Sequence, residues 1–161
     1  MGANLGDPAV TLRRAAGELS AFGTVTRRSR LWRTDPVGGP PGQPDYLNAV
    51  IALRPAAPYA DVTTLLEAFH GVEARHGRVR RERWAPRTLD LDLLAYGSLV
   101  RDAPDPVVPH PRMMTRAFVL VPLLEVDPEW RHPRTGVAAA DALAALDRSG
   151  LRPADVSWVP R

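Results

Sequence analysis

The acidic side chains best suited to a chemical role are Asp90 and Asp92, which alternate with leucines in the run LDLDLL. Polar and apolar residues that alternate with period two predict a β-strand with one buried face, here over residues 88–96. On such a strand the two carboxylates lie side by side, about 6.6 Å apart along the backbone at about 3.3 Å per residue. Carboxylate oxygens suit Mg²⁺, and paired ions lie about 3.5–4 Å apart in sites that handle phosphoryl groups. The pair is therefore a candidate metal site.

A cluster of arginines precedes the two aspartates in the chain: Arg78, Arg80, Arg81, Arg83 and Arg87. Guanidinium groups bind phosphate oxygens in a bidentate geometry, so the cluster suits an anionic ligand with several phosphates. Metal-binding acids beside phosphate-binding arginines predict a nucleotide site. The alternative is a solvated acidic strand that forms surface salt bridges with nearby arginines, and the spacing of the aspartates alone does not decide between the two.

The composition excludes several classes of chemistry. All 21 basic residues are arginine, so the chain has neither a P-loop lysine nor a Schiff-base lysine. It has no cysteine, and its net charge of +3 is modest for a dedicated nucleic-acid binder. No apolar run approaches 18 residues, and the N-terminus lacks a signal pattern, so we expect a soluble cytoplasmic protein. The length of 161 residues predicts a single domain over 1–161.

Periodicity and breaker residues predict an α+β domain, with helices packed on a largely antiparallel sheet. Two helices have clear start signals: Asp7 before Pro8, and Asp61 as an N-cap. The predicted helices span 8–22, 58–77, 112–124 and 138–146. The predicted strands span 24–32, 46–53, 88–96, 99–101 and 156–159. Residues 34–44, rich in proline and glycine, predict a loop long enough to be functional.

Ordered blocks over most of residues 2 to 130 resemble the 6-hydroxymethyl-7,8-dihydropterin pyrophosphokinase family. The most specific block is RWAPRTLDLDLLAYG at 83–97. The other blocks are GANLGD (2–7), RTDP (33–36), QPDYLNAV (43–50), Glu73 with GRVR (77–80), and VPHP (108–111) followed by RAF (116–118). The resemblance implies a ferredoxin-like α+β fold. It also implies an enzyme of folate biosynthesis that transfers the pyrophosphoryl group of ATP to the hydroxymethyl group of the pterin and leaves AMP.

The resemblance also implies a role for individual residues. Asp90 and Asp92 would hold two Mg²⁺ ions, and Arg78 and Arg87 would bind the phosphates and act in catalysis. The residues implied to contact ATP are Glu73, Arg80, Arg83, Trp84, His110 and Arg116. Those implied to form the pterin pocket are Thr34, Val37, Tyr46, Asn48 and Phe118.

Elementary chemistry supports several of these roles and leaves alternatives open. Tyr46 and Phe118 could hold a flat ring between them, but without the resemblance core aromatics would be the preferred interpretation. Asn48 offers both a donor and an acceptor to the amide edge of a pterin. His110 could be a loop hydrogen-bonding residue, and Trp84 could cover the edge of the core. Glu73 could neutralise Arg78 or Arg80 rather than contact a nucleotide.

The chain departs from the family at its start. The family normally opens with an apolar strand before the GANLG turn, whereas here Met1 directly precedes that turn. We therefore expect the first family strand to be missing and the fold to be less stable than a longer version.

Two further functions compete with the pyrophosphokinase. The basic run RHGRVRRERW would suit an RNA-binding α+β module, and the missing strand would suit a catalytically inactive homologue. Against RNA binding, the aspartates would repel a phosphate backbone, so the expected partners are ATP and the pterin, without nucleic acid or membrane. The expected oligomeric state is a monomer, with a dimer as the alternative.

Overall fold

The computed structural model describes residues 1–36, 42–78 and 87–159. The helices are α1 (Pro8–Leu19), α2 (Val62–Arg75), α3 (Ala117–Val126) and α4 (Ala139–Ala144). The strands are β1 (Gly2–Ala3), β2 (Gly23–Arg28), β3 (Trp32–Thr34), β4 (Tyr46–Asn48), β5 (Ile51–Pro55) and β6 (Leu151–Pro153). Short 3₁₀ turns cover Ala57–Tyr59 and Met113–Thr115. These elements confirm the predicted α+β class.

The sheets are antiparallel. One contains four strands in the order β1-β4-β3-β6, and the other pairs β2 with β5. The predicted strands at 24–32 and 46–53 are each divided between these sheets. The hairpin they form shifts register at Val25/Arg27, and residues 29–31 then face only residues 49 and 50. The buried Ser29 sits at this interruption, where its Oγ accepts a hydrogen bond from the Val50 amide at 3.0 Å.

The helix starts follow the local chemistry of the sequence. The Asp7 side chain accepts from the Val10 amide at 3.0 Å, and Pro8 occupies the first turn of α1. The Asp61 side chain accepts from the amides of Thr63 and Thr64 at 2.9 and 3.0 Å and so caps α2. Both predicted caps are confirmed.

Two hydrophobic clusters lie on the sheets. The first joins α1 and α2 to β1 and β4, with Leu12, Val72 and Leu89 completely buried. The second joins α3 and α4 to the start of β5, with Met113 and Leu120 at its centre. Both helix pairs, α1 with α2 and α3 with α4, bury their apolar faces against strands. The fold therefore consists of a layer of helices packed on β-sheet.

Several strand predictions were wrong. Among the described residues the segment 88–96 makes one bridge, between Asp90 and Gly2, although Leu89 and Leu91 are buried as the alternation predicts. Part of the reason is that the Leu91 amide donates to the Glu73 side chain at 2.7 Å instead of to a neighbouring strand. The predicted strand at 99–101 is likewise reduced to one bridge, between Arg101 and Val108.

The two ends of the described chain also differ from the predictions. Gly2–Ala3, predicted as part of a turn, forms β1 and lies between β4 and the Asp90 bridge. The last strand is Leu151–Pro153 rather than 156–159. Residue Trp158 instead donates its indole N–H to the Ser29 carbonyl at 2.7 Å, so the segment is held by a side chain and not by a β ladder.

Candidate active site

A cleft of about 540 Å³ opens beside β1 and β4, next to the beginning of α3. Its walls come from β4, residues 87–94, the loop before α3, the first turn of α3 and the segment 147–151. Nine of the predicted site residues line it: Thr34, Tyr46, Asn48, Arg87, Asp90, Asp92, His110, Arg116 and Phe118. The cleft therefore brings together residues separated by more than 80 positions in the chain.

Asp90 is held between two arginines. Its Oδ1 lies 2.6 Å from Arg78 Nη1, and its Oδ2 lies 2.6 Å from Arg87 Nη1. Its backbone is fixed as well, because its amide donates to the Gly2 carbonyl at 2.7 Å and its carbonyl accepts from the Gly2 amide at 2.9 Å. The carboxylate thus has a defined position and is surrounded by positive charge.

Asp92 lines the same cleft but has a different environment. It is exposed, and it makes no hydrogen bond or ion pair with any residue in the described parts of the chain. Those parts also contain no group of three or more His, Asp or Glu side chains arranged to hold a metal ion. Mg²⁺, however, is commonly bound by one or two carboxylates together with substrate phosphates and waters. A pair of aspartates in a cleft fits that pattern.

Glu73 and Arg78 lie behind the cleft rather than in its walls. Glu73 is only 2% exposed, and its Oε1 accepts from the Leu91 amide at 2.7 Å and pairs with Arg78 Nη1. Arg78 therefore bridges a buried glutamate and Asp90. The interpretation of Glu73 as a partner of Arg78 is confirmed, whereas its contact with ATP stays a prediction.

His110 and Arg116 line the same cleft as Asp92. Burial lowers the pKa of His110, an effect that the charges of Arg116 and Arg112 increase and that of Asp92 opposes. Burial also lowers the pKa of Arg116. The guanidinium carbon of Arg116 lies 5.6 Å from the centre of the Phe118 ring, so Arg116 stands between the charged and aromatic parts of the cleft.

The aromatic part of the cleft contains Tyr46, Phe118, Asn48 and Thr34. The Asn48 side-chain amide donates to Thr34 Oγ1, which fixes the orientation of the amide. Burial raises the pKa of Tyr46, so its hydroxyl stays protonated at neutral pH. Two aromatic residues and an oriented amide can bind a flat heterocycle with hydrogen-bonding edges.

Sequence reasoning missed several residues of the site. Gly2 packs against Asn48, because a Cβ there would lie 2.6 Å from Asn48 Oδ1 and would displace that amide. Asn4 is 2% exposed and hydrogen-bonds Arg87 and Pro44. Arg112 and the segment 147–151 also line the cleft. The glycine and the asparagine stood inside a recognisable block, but nothing in that block indicated what they contact.

Four predicted site residues lie outside the described part of the chain: Val37, Arg80, Arg83 and Trp84. Their roles stay predictions.

Carboxylates and guanidinium groups at one end of a cleft, with aromatic rings and an oriented amide at the other, define a protein that can hold a multiply charged anion beside a flat ring. The chain belongs to the 7,8-dihydro-6-hydroxymethylpterin-pyrophosphokinase family, whose model matches residues 1–128. The predicted family is therefore confirmed.

Three relatives that match nearly the whole chain are each a 2-amino-4-hydroxy-6-hydroxymethyldihydropteridine pyrophosphokinase. The protein from Synechocystis is 37% identical over 95% of this chain and 77% of its own length. The protein from Pseudomonas aeruginosa is 39% identical over 94% of this chain and 91% of its own length. The protein from Bacillus subtilis is 40% identical over 94% of this chain and 86% of its own length. In addition, none of the helices in the described residues is long and apolar enough to cross a membrane.

Proposed function

We propose that this protein is an ATP-dependent pyrophosphokinase of folate biosynthesis that acts on 6-hydroxymethyl-7,8-dihydropterin. The observation that carries the proposal is that one cleft contains the Asp90–Arg87 pair and Asp92 together with Tyr46 and Phe118. Family membership supports the same reaction. In this reaction the hydroxyl oxygen of the pterin bonds to the β-phosphorus of ATP. The bond from that phosphorus to the oxygen bridging to the α-phosphate breaks, AMP leaves with that oxygen, and the proton of the pterin hydroxyl is released to water.

Different residues of the cleft would bind the ring and the phosphates. Tyr46 and Phe118 would hold the ring, and Asn48 would bind its amide edge, which orients the hydroxymethyl group. Arg87 and Arg116 would bind the phosphate oxygens and stabilise the negative charge that develops on them during transfer. His110, held neutral by burial, would donate a hydrogen bond to the nucleotide without adding charge.

Mg²⁺ would be held by Asp90 and Asp92, and the number of ions, predicted as two, is part of this proposal. When bound, the metal neutralises phosphate charge and polarises the phosphoryl oxygens. Asp92 carries no competing ion pair among the described residues, so its carboxylate is available as a ligand. The cytoplasmic location and the monomeric state stay predictions.

The proposal is tested by measuring AMP formed from MgATP, with and without the pterin. We expect AMP formation that depends on the pterin and that falls at least about 100-fold in Asp92→Ala, since a ligand of the metal that neutralises the phosphate charge is removed. The matched control is Asp102→Ala, which removes an exposed carboxylate paired with Arg134 at 2.5 Å outside the cleft. AMP formation that does not require the pterin, or that survives in Asp92→Ala, would contradict the proposal.

A further inference from the structure

The hydroxyl group of Tyr46 lies in the cleft, but the proposed reaction assigns it no task. The ring of this residue would hold the pterin, a task that the ring of a phenylalanine such as Phe118 performs without a hydroxyl. Within the described residues, the hydroxyl has one hydrogen-bonding neighbour, the side chain of Asn4. A polar group that stacking does not require calls for a separate explanation.

The pairing of the strands places Tyr46 and Asp90 on the same face of the sheet. β1 pairs with β4 and also forms the bridge to Asp90, so it lies between the two. The register pairs Gly2 with Asn48, and two further steps along β1 bring Asn4 beside Tyr46. Residues that pair across antiparallel strands share a face, as do alternate residues along one strand. The floor of the cleft is therefore formed by this face, with one strand between Tyr46 and Asp90.

The strand between them leaves the path of the Tyr46 side chain open. The diagonal neighbour of Tyr46 on β1 is Gly2, which has no side chain, and Asp90 lies directly beyond it. Aromatic side chains reach diagonal neighbours about 7–8 Å away in a sheet. The Tyr46 side chain can thus extend over Gly2 from the ring end of the cleft towards Asp90.

The electrostatic surroundings of the hydroxyl agree with this placement. Burial is the main cause of the raised pKa of Tyr46, but the charges of Arg87 and Asp90 also act on it, the first lowering the pKa and the second raising it. The hydroxyl is therefore close to the ion pair that Arg87 and Asp90 form at the phosphate end.

The contact with Asn4 leaves the hydroxyl proton available. Burial raises the pKa of Tyr46, whereas the hydrogen bond with Asn4 lowers it. A hydrogen bond lowers the pKa of an acid when it is donated to the oxygen that becomes charged. Asn4 therefore donates to the phenolic oxygen, and the O–H group can donate its own hydrogen to a second partner. An anionic phosphate oxygen in the cleft is a suitable acceptor.

We propose that Tyr46 is a catalytic residue whose hydroxyl donates a hydrogen bond to a non-bridging oxygen of the β-phosphate, in addition to the stacking of its ring on the pterin. The inference rests on the proposed function, in which the β-phosphate lies next to the ring because the hydroxymethyl oxygen bonds to it. AMP leaves with the bridging oxygen and the pterin proton passes to water, while Tyr46 keeps its own proton. A fixed neutral donor stabilises the charge that develops on the phosphoryl oxygens.

The test separates the hydroxyl from the ring by the substitution Tyr46→Phe. We expect the single-turnover rate of AMP formation, at saturating MgATP and pterin, to fall at least about 10-fold. Calorimetric titration with the pterin, in the presence of the Mg²⁺ complex of α,β-methylene-ATP, should give a Kd within about 3-fold of the wild type because the stacking ring is retained. The matched control is Tyr96→Phe, which removes a hydroxyl that donates to the Ala60 carbonyl at 2.5 Å outside the cleft and should leave both values unchanged.

A second measurement follows the hydroxyl in the wild type. The protein is labelled with ζ-¹³C-tyrosine, and the Tyr46 resonance among the three tyrosines is the one that Tyr46→Phe lacks. We expect this resonance to move downfield when the Mg²⁺ complex of α,β-methylene-ATP binds, because an O–H group that donates to a phosphate oxygen gains phenolate character.

The outcomes distinguish this inference from the proposed function. If the wild type forms AMP in a pterin-dependent reaction and Tyr46→Phe keeps more than about one-tenth of its single-turnover rate, the inference is overturned and the proposed function stands. A loss that appears as weaker pterin binding, or a Tyr46 resonance that the nucleotide leaves unchanged, overturns the inference in the same way. If the wild type forms no pterin-dependent AMP, the proposed function fails and this inference fails with it.

Discussion

At the scale of single residues, the charges behind and within the cleft form an alternating chain. Glu73 pairs with Arg78, Arg78 pairs with Asp90, and Asp90 pairs with Arg87. Exposure increases along this chain, from a nearly inaccessible glutamate to an arginine that lines the cleft. Each charge thus has a neighbour of opposite sign, which is the condition under which charges can be buried without a large penalty.

Replacement of the glutamate at the buried end should therefore be strongly destabilising. In Glu73→Gln, Arg78 loses its buried counter-charge, and we expect the free energy of unfolding to fall by about 3 kcal/mol. The matched control is Glu18→Gln, because Glu18 also pairs with an arginine of α2, Arg75, at 2.7 Å, but its side chain is 33% exposed. The control should change stability by less than about 1 kcal/mol. Urea unfolding monitored by circular dichroism measures both, and equal losses would contradict the assignment of Glu73 as a buried anchor.

His110 should make stability depend on pH as the pH drops through the ordinary histidine pKa of 6.5. Its pKa in the folded protein is lowered from 6.5 by burial, with Arg112 and Arg116 acting in the same direction and Asp92 against it. Below pH 6.5 the unfolded chain therefore binds more protons at this site than the folded chain. Stability must fall as the pH drops through the ordinary histidine pKa and must level off below the folded pKa.

The measurement is urea unfolding of the wild type and His110→Asn at several pH values, without nucleotide or divalent metal. We expect the loss of stability on acidification to be smaller in the variant, since asparagine does not titrate. Because the other three histidines are common to both proteins, the difference isolates His110. Parallel pH profiles would show that His110 is equally easy to protonate in the folded and unfolded chains.

At the scale of elements, β6 holds the two ends of the segment between β3 and β4, beside the aromatic part of the cleft. Arg152 in this strand pairs with Asp35 at 2.8 Å and with Asp45 at 2.5 Å. Asp35 directly follows β3 and Asp45 directly precedes β4. One arginine therefore holds both ends of the segment between those strands, next to Thr34 and Tyr46.

We expect Arg152→Ala to raise the KM for the pterin several-fold with little change in kcat, because the ring pocket is loosened while the phosphate side is untouched. Stability should change by less than about 1 kcal/mol, since the ion pairs are exposed. The matched control is Arg134→Ala, which removes an arginine side chain of similar exposure, 50% against 49%, that pairs with Asp102 away from the cleft. Steady-state kinetics on both variants decide the matter, and an unchanged KM in Arg152→Ala would show that the strand carries no influence on the pocket.

The elements also show how far the sequence could predict the fold. Helix starts were predictable because Asp7 and Asp61 act on amides within three residues of themselves. The interruption of the long hairpin was not predictable from periodicity, since it depends on Ser29 meeting Val50 from another part of the chain. Likewise, the alternation in 88–96 correctly predicted which leucines are buried, but it could not reveal that Glu73 takes the place of a strand partner for Leu91.

The candidate site divides in the same way. Residue types and spacing were sufficient to predict Asp90, Asp92 and Arg87 as site residues, because these residues are charged and lie close together in the sequence. The supporting residues, such as Asn4 and Gly2, act through contacts with segments more than 38 positions away and look like ordinary turn residues in the sequence. Their roles become visible only when the distances are known.

At the scale of the whole molecule, the cleft lies where the two hydrophobic clusters meet. The adjacent residues Ala49 and Val50 both line it, and the first belongs to the cluster under α1 and α2 while the second belongs to the cluster under α3 and α4. The chain passes directly from β4 to β5 at this point, so it connects the two clusters through its backbone. We therefore expect the clusters to unfold together although they are built from different helices.

Truncation of a leucine at the centre of either cluster tests this expectation. Leu12 and Leu120 are both completely buried, one in each cluster. Leu12→Ala and Leu120→Ala should each lower the free energy of unfolding by about 3–5 kcal/mol, through lost burial and the cavity left behind. In each variant we expect one transition in urea, with circular dichroism and tryptophan fluorescence giving the same midpoint, because the backbone from β4 to β5 joins the two clusters directly. Separate midpoints in Leu120→Ala would mean that the second cluster can melt while the first persists. The wall of the cleft formed by Phe118 would then be lost before the wall formed by Asp90, and binding of both ligands would have to depend on the stability of α3 and α4 alone.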